Sequence, residues 1–359
     1  MQSPKILITG ATGYIGGTLI HSLSTTTNPT LKTLKISALL RSASQAALFT
    51  AYNVSPTILS NPDDLEEVRK IASGFDIILN PAYATLPEHS KALVLGLGDR
   101  LASNLEGFVP HMIQVSGTSN LSDRPFTDIE KINPYSSTPE FSDTDSVAVY
   151  EMEKKLDALE PYAQRTAELA VIDTGLAVGI KTHNIMSPTI YGPGSGPGNK
   201  LSIQIPAVAR AAVKNEFAHT VGTGSQEWDH ISITDLISLY EILLTRIIEG
   251  KPVPSGPSGI LFSESGRHTW RQLMQMVADA GVKVGKLQKA EVRSFELQKA
   301  ADLWGLGAMP AFAELGLASN SKTRAEVARS WGWRPKDRDE EFRKGIEADW
   351  RKVVEKDGQ

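Results

Sequence analysis

The chain has 359 residues, of which 41% are hydrophobic and 22% charged, so it can bury a large core in one extended domain or two joined ones. Its formal net charge is −4 and no Lys/Arg cluster is interleaved with aromatic residues, which argues against nucleic-acid binding. The absence of cysteine excludes disulfides, thiolate nucleophiles and Cys-ligated metals. We therefore expect the partner to be a small-molecule substrate.

Segments that would direct the chain to a membrane or an organelle are not evident. No apolar run approaches the roughly 18 residues of a membrane helix, and the first residues lack a charged-then-apolar targeting pattern. No group of His, Asp and Glu has the spacing of metal ligands. We therefore expect no membrane partner, no metal and a cytoplasmic location, and the sequence leaves a homodimer open.

The first half of the chain alternates short apolar runs with segments of helical periodicity. The runs at 5–9, 34–40, 75–79 and 111–116 predict strands, and the segments 16–23, 63–72 and 90–105 predict helices. This alternation is typical of an α/β fold, a Rossmann-type doubly wound parallel sheet with helices on both faces.

The second half is less regular. The predicted elements are a long loop at 120–150, a helix at 162–173, a strand at 175–184, a Gly/Pro-rich hinge at 187–199 and an amphipathic helix at 234–248 capped by Thr234 and Asp235. From residue 255 onward the pattern indicates helices and short strands. We expect residues 1–185 to form an NAD(P)-binding domain, helix 234–249 to pack back onto it, and residues 186–359 to form a smaller α/β substrate-binding region.

A glycine-rich turn at residues 9–16 separates the first predicted strand from the first predicted helix. Gly10 permits a tight turn, Gly13 lets the backbone approach a pyrophosphate, and Gly16 lets the helix pack closely on the strand. Amide groups at the helix N-terminus then face the phosphates. The residues expected to hold a dinucleotide here are Gly10, Thr12, Gly13, Tyr14, Ile15 and Gly16.

The end of the second predicted strand indicates which dinucleotide is bound. NAD sites usually place Asp or Glu there to bond the ribose hydroxyls, but this chain has Arg41. A guanidinium pairs with a 2′-phosphate and stacks on adenine, and Ser42 and Ser44 offer hydroxyl contacts. The sequence therefore favours NADP over NAD.

Several segments in this order resemble the extended short-chain dehydrogenase/reductase superfamily, which includes nucleotide-sugar epimerases, dihydroflavonol reductases and NmrA-like relatives. The resemblance covers about the first 250 residues and rests on segments 9–16, 76–82, 115–118, 162–168, 187–194 and 229–235. It implies hydride transfer between a nicotinamide and a carbonyl or carbinol carbon, with a tyrosine exchanging the proton at oxygen.

The same resemblance assigns roles to individual residues. Thr118 corresponds to the hydroxyl that bonds the substrate oxygen, with Ser116 beside it, and Tyr162 corresponds to the acid/base. Four residues would border the cofactor: Pro81 and Ala82 after the fourth strand, and Ser187 and Pro188 near the nicotinamide.

One position departs from the family pattern. The lysine of Tyr-x-x-x-Lys, which lowers the pKa of the tyrosine, is Thr166 here. Arg165 is adjacent, but it points about 100° away around the helix and does not simply substitute. The sequence leaves open whether Arg165, Lys154 or Lys155 reaches the site, whether another residue is the acid, or whether the chain binds cofactor without reduction.

Three functions remain after these observations. The first is an NADP-dependent oxidoreductase that reduces a small carbonyl compound, with a largely apolar substrate favoured because no cation cluster is evident for a diphosphate. The second is an epimerase or isomerase that retains its cofactor. The third is a dinucleotide-sensing regulatory protein, which Thr166 favours and Tyr162 disfavours.

Overall fold

The computed structural model of the chain describes residues 3–103, 107–127, 140–336 and 339–358. The strands within these ranges are β1 Lys5–Ile8, β2 Lys35–Leu40, β3 Val54–Ile58, β4 Ile77–Asn80, β5 His111–Gly117, β6 Glu140–Ser142, β7 Lys181–Ser187, β8 Thr189–Tyr191, β9 Ala218–Val221, β10 Glu227–Ser232, β11 Ile260–Phe262, β12 Gly266–Thr269, β13 Val292–Phe295 and β14 Lys322–Arg324. The helices are α1 Tyr14–Thr25, α2 Pro29–Lys32, α3 Leu65–Ala72, α4 Pro87–Ala102, α5 Ser146–Leu159, α6 Ala163–Val178, α7 Gln204–Asn215, α8 Ile233–Ile248, α9 Trp270–Lys283, α10 Leu297–Trp304, α11 Pro310–Leu317, α12 Glu326–Ser330 and α13 Asp339–Asp357.

A parallel sheet of seven strands organises the described part of the chain, in the order β11-β7-β5-β4-β1-β2-β3. β1 shows why both faces of this sheet are covered. Ile6 and Ile8 pack with Leu19 of α1 on one face, and Leu7 packs with Leu93 of α4 on the other. Because side chains alternate along a strand, a fully apolar strand requires helices on both sides. The predicted Rossmann-type α/β fold is confirmed.

The helices that flank the sheet are joined by polar contacts as well. α8 lies against α1, where the Ser22 hydroxyl donates to Glu241 at 2.6 Å. On the opposite face Arg69 of α3 and Asp99 of α4 form an ion pair at 2.7 Å. Ser232 caps α8 by accepting a hydrogen bond from the amide of Asp235, so the predicted Thr234–Asp235 cap was placed two residues late.

The segment predicted as a loop at 120–150 is partly wrong. It includes the short strand β6 and the first residues of α5, which begins at Ser146; its residues 128–139, like residues 104 and 105 of the predicted 90–105 helix, lie outside the described residues. The strand predicted at 175–184 is also wrong at its start, because α6 continues to Val178 and β7 begins at Lys181. α5 and α6 form an antiparallel hairpin, since Tyr150 near one end of α5 bonds Asp173 of α6.

The later residues contribute to more than one layer. The hinge predicted at 187–199 contains β8, and β11 is an edge strand of the main sheet although it follows residue 255. A second apolar cluster joins α7, α9 and α13 around the buried Trp270 and Trp350. The division into two domains remains a prediction.

Among the described helices, none has the combination of length and hydropathy needed to cross a membrane.

Candidate active site

The glycine turn after β1 is packed too tightly for side chains. Gly10 has φ +56°, and a Cβ there would lie 3.1 Å from the Cβ of Ala82. A Cβ on Gly16 would lie 2.3 Å from the Gly10 carbonyl oxygen. The Gly13 amide donates to the same oxygen at 2.8 Å. These close contacts leave no room for a side chain at Gly10 or Gly16, which explains why the turn at the end of the strand requires glycine at both positions.

The N-terminus of α1 directly follows this turn. Gly13 is its N-cap residue, no side chain caps the first amides, and the first turn carries no acidic residue. A helix end with free amides and no carboxylate favours an anion. The backbone from Gly10 to Gly16 therefore has the chemistry that a diphosphate requires, and its role in binding a dinucleotide stays a prediction.

A second glycine-rich segment, residues 192–199, packs against the outer side of the same turn. The Tyr14 hydroxyl donates to the carbonyl of Gly192, and the amide of Asn199 donates to that of Thr12 at 2.9 Å. A Cβ on Gly196 would lie only 2.0 Å from the Gly17 carbonyl. The sequence indicated a hinge at this segment but not its contact with α1.

Arg41 lies at the carboxyl end of β2, the strand that neighbours β1 in the sheet. Its side chain is exposed and forms no ion pair with any described residue. Ser42 and Ser44 lie beside it with their hydroxyl oxygens 2.9 Å apart. Burial raises the pKa of Tyr83, and the positive charge of Arg41 opposes that rise. Sequence reasoning missed Tyr83, whose only signal was its place directly after Pro81 and Ala82.

Thr118 begins a short 3₁₀ turn, residues 118–121, at the carboxyl end of β5. Its hydroxyl oxygen is buried and has no hydrogen-bond partner among the described residues. Its carbonyl accepts a hydrogen bond from the Ser321 hydroxyl at 2.7 Å. An unsatisfied buried hydroxyl is costly, so a hydroxyl held here is suited to bond a ligand oxygen.

Tyr162 lies at the N-terminus of α6, next to this turn. Its hydroxyl is 3.1 Å from the hydroxyl of Ser119, which donates in turn to Gln164 at 2.6 Å. Burial raises the pKa of Tyr162, while the bond to Ser119 and the positive charge of Arg165 act in the opposite direction. Ser119 and Gln164 were missed because neither is one of the two fixed positions of the Tyr-x-x-x-Lys motif that identified Tyr162.

Ser116 is placed differently from Thr118. It accepts a hydrogen bond from the side-chain amide of Asn120 at 3.1 Å, and the same amide donates to Glu168 at 3.0 Å. Burial raises the pKa of Glu168 to about 7. The Ser116 hydroxyl is therefore part of a buried network behind the turn that carries Thr118.

The residues around position 166 explain the departure from the lysine pattern. The Thr166 hydroxyl donates to the Asp157 carboxylate at 3.0 Å, so this position faces α5. Arg165 is buried between the hairpin and the Thr118 turn, whereas Lys154 and Lys155 are exposed on α5.

A Tyr-x-x-x-Lys spacing does occur elsewhere, at Tyr150 and Lys154 on α5, and sequence reasoning missed it. The Lys154 amine lies 5.1 Å from the centre of the Tyr150 ring. The Tyr150 hydroxyl donates to Asp173, which raises its pKa further above the value set by burial. Asp173 is eleven residues along α6 from Tyr162, about 16 Å, so this tyrosine is remote from the Thr118 turn.

The strand order arranges these groups along one edge of the sheet. Neighbouring strands lie about 4.8 Å apart, so the end of β2 with Arg41 and the end of β5 with Thr118 lie on opposite sides of the glycine turn, about 15 Å apart. Ser187 and Pro188 are buried at the next strand end, where the Ser263 hydroxyl donates to that of Ser187 at 3.3 Å. In such sheets dinucleotides bind at the carboxyl ends of the parallel strands, at the point where the strand order reverses.

Comparison with known proteins identifies the family of this chain. Residues 6–253 match the model of the NAD dependent epimerase/dehydratase family. The oxidase ucsJ of an Acremonium species is 28% identical over 336 residues, which cover 86% of this chain and 89% of that protein.

Solved structures show the same fold at low sequence identity. The dTDP-glucose 4,6-dehydratase DesIV of Streptomyces venezuelae, with NAD and TYD bound, has a TM-score of 0.62 at 15% identity, covering 98% of this chain and 97% of that one. Vestitone reductase of alfalfa has a TM-score of 0.58 at 14% identity, covering 99% of each chain.

The family match covers more than half of the chain and includes the glycine turn, Arg41, the Thr118 turn and Tyr162. The chain belongs to the NAD-dependent epimerase/dehydratase family and is an NAD(P)-dependent enzyme of the oxidoreductase or epimerase type.

Proposed function

We propose that the protein is an NADP-dependent reductase of a small, largely apolar carbonyl compound. The observation that carries this proposal is a pair of hydroxyl groups near the carboxyl end of β5. They are the Thr118 hydroxyl, which has no hydrogen-bond partner among the described residues, and the Tyr162 phenol, which lies 3.1 Å from the Ser119 hydroxyl of the Thr118 turn. A carbonyl oxygen placed there would receive a hydrogen bond from Thr118 and a proton from Tyr162. The bound dinucleotide would supply the hydride.

Each residue of the chain has a limited task in this proposal. Thr118 orients the carbonyl oxygen and Tyr162 protonates it. Ser116 supports the turn through Asn120, because its own hydroxyl is engaged there. Ser187 and Pro188 border the nicotinamide end of the cofactor, and Pro81 and Ala82 lie along it.

The preference for NADP rests on Arg41. Its guanidinium forms no ion pair within the described part of the chain and lies beside the Ser42 and Ser44 hydroxyls, so these groups offer the donors that a 2′-phosphate requires. The first residues after β2 include no carboxylate to accept hydrogen bonds from a free ribose 2′-hydroxyl.

The charges near Tyr162 favour a neutral substrate. Arg165 is paired with Asp157, and Arg124 is paired with Glu160. A sugar nucleotide brings a second diphosphate, which needs free positive groups. Because both arginines are already engaged, an uncharged carbonyl compound suits the site better.

The activity is tested by measuring NADPH oxidation with a panel of aliphatic and aromatic aldehydes and ketones. We expect turnover in the wild type and a loss of about 100-fold or more in Tyr162→Phe, the usual scale for removing a general acid. Tyr150→Phe is the matched control, since it removes the tyrosine of the chain's own Tyr-x-x-x-Lys spacing. It should retain activity because its hydroxyl bonds Asp173.

Other outcomes would contradict the proposal. Tightly bound dinucleotide that does not exchange, with no net NADPH consumption, would identify an epimerase instead. Dinucleotide binding without turnover on any substrate would favour a sensing role.

The cofactor preference is tested separately by isothermal titration with both dinucleotides. Arg41→Ala should weaken NADP binding by about 10-fold or more, since hydrogen bonds to charged groups contribute about 1.5–3 kcal/mol. NAD binding should change little. Lys35→Ala, an exposed cation at the opposite end of β2, is the control. Equal losses for both dinucleotides, or tighter NAD binding by the wild type, would overturn the NADP assignment.

A further inference from the structure

Tyr162 occupies a site that disfavours its phenolate form. The residue is partly buried, and burial raises its pKa above the usual value near 10. A tyrosine that gives up a proton in such a place needs a positive charge nearby. Thr166 cannot provide one, and its hydroxyl is bonded to Asp157 at 3.0 Å.

Arg165 is the cation that the structure brings to this tyrosine. Its guanidinium carbon lies 5.9 Å from the centre of the Tyr162 ring, within the range of a cation–π contact. Only 9% of its side chain is exposed, so the interaction is weakly screened by solvent. Residues 162 and 165 are three positions apart at the start of α6, a spacing that brings side chains together on a helix.

Three hydrogen bonds fix the guanidinium in that place. It donates to Asp157 at 3.3 Å, to the Asn120 carbonyl at 3.3 Å and to the Glu160 carbonyl at 2.6 Å. Asn120 belongs to the Thr118 turn and Glu160 to the tip of the α5–α6 hairpin. Arg165 therefore joins the two elements that carry Thr118 and Tyr162.

The remaining charged groups around Arg165 are carboxylates or already paired. They are Asp157 and Glu153 of α5, Glu168 of α6, and the ion pair between Arg124 and Glu160. Lys154 lies over the Tyr150 ring and Lys155 is exposed, so neither lysine competes for this role.

We propose that Arg165 is a positioning residue for Tyr162: its guanidinium holds the ring and offsets the negative charge that Tyr162 acquires on giving its proton to a substrate oxygen. The inference rests on the proposed role of Tyr162 as the acid. It also assigns a task to Asp157, which aims the guanidinium while partly cancelling its charge.

The test measures the pKa of the Tyr162 phenol directly, by NMR of ¹³Cζ-tyrosine-labelled protein, with Tyr162→Phe identifying the signal. Arg165→Met should raise that pKa by about one unit because the positive charge is lost. Asp157→Asn should lower the pKa by a similar amount, because the negative charge is lost. The asparagine oxygen can still accept hydrogen bonds from the Tyr162 backbone amide and the Thr166 hydroxyl. Arg165→Lys keeps the charge and should shift the pKa least.

A merely structural role would not give shifts of opposite sign. Unchanged pKa values, or shifts in the same direction for Arg165→Met and Asp157→Asn, would overturn the inference. If Arg165→Met does not fold, Asp157→Asn decides: a lower Tyr162 pKa supports the inference and an unchanged one refutes it. The measurement needs no substrate, so an inactive wild type would refute the proposed function without affecting this result.

Discussion

Two carboxyl groups of this protein, Glu153 and Glu168, are fully buried between α5 and α6. Burial raises the pKa of both, and for Glu153 the neighbouring charge of Glu168 raises it further. Two negative charges in such a space are unfavourable, so at least one of the groups keeps its proton near neutral pH. Glu168 accepts a hydrogen bond from Asn120, so this pair adjoins the residues that support the Thr118 turn.

The sign of its effect on stability follows from the raised pKa. Glu168 has a folded-state pKa of about 7 against an ordinary value of 4.5. The stability that the protonated Glu168 carboxyl contributes is fully present below about pH 4.5 and is lost as the pH rises through 7. Glu168→Gln has no proton to lose, and its amide oxygen still accepts from Asn120. Between pH 5 and pH 8, the free energy of unfolding of the wild type should therefore fall relative to that of Glu168→Gln. We expect this relative loss to be roughly 2 kcal/mol.

Urea unfolding at pH 5 and pH 8 measures this difference. Glu151→Gln, an exposed residue of α5, is the control and should follow the wild type at both pH values. If Glu168→Gln showed the same change between pH 5 and pH 8 as the wild type, the assignment of a buried, protonated Glu168 would be wrong.

Single residues could be predicted from sequence where their function is local. The glycine turn is contiguous and sterically demanding, and Arg41 follows directly from the end of an apolar run. Ser119 could not be predicted as the partner of Tyr162, because the two lie 43 positions apart and meet only when the hairpin folds. The carboxyl pair was also hidden, since a glutamate in sequence gives no sign of burial.

At the scale of elements, the sequence predicted the strands of the parallel sheet better than the α5–α6 hairpin. Val149, Met152 and Leu156 have helical spacing, but Glu153 interrupts the apolar face on which helix prediction depends. In the structure that glutamate is inside the interface. We therefore missed α5 because a buried glutamate occupies a position where helix prediction depends on an apolar residue.

The end of α6 shows a related error. Gly175 was taken as the start of a strand, but it lies within the helix, and its missing side chain leaves room for Thr182, whose methyl carbon would be 2.3 Å from a Cβ. The helix ends at Gly179, which has φ +78°. Glycine serves close packing at one position and a C-cap at the other, and only the tertiary contact distinguishes them.

At the scale of the whole molecule, Gly192 links the first helix to the last. Its carbonyl accepts from Tyr14 of α1, and its amide donates to Asp349 of α13 at 2.9 Å. Asp349 is buried, and burial raises its pKa to about 7. The segment 192–199 therefore joins α1 and α13, the first and last described helices, beside the glycine turn.

This segment gives the last prediction. A methyl group on residue 196 would lie 2.0 Å from the Gly17 backbone, so Gly196→Ala must displace either the segment or the first turn of α1. We expect a loss of about 1–3 kcal/mol in the free energy of unfolding. Because the amides that we propose to face the diphosphate belong to that same turn, dinucleotide affinity should fall by about tenfold as well, which corresponds to about 1.4 kcal/mol.

Gly316→Ala is the matched control, since Gly316 lies within α11 and no atom is within 4 Å of a Cβ there. It should leave dinucleotide binding unchanged and stability equal or slightly higher, as alanine favours helix. Thermal unfolding and isothermal titration measure both quantities in each variant. A Gly196→Ala protein that was destabilised but bound dinucleotide normally would show that the segment moves and α1 does not. The segment 192–199 would then join α1 to α13 without affecting the conformation of the glycine turn.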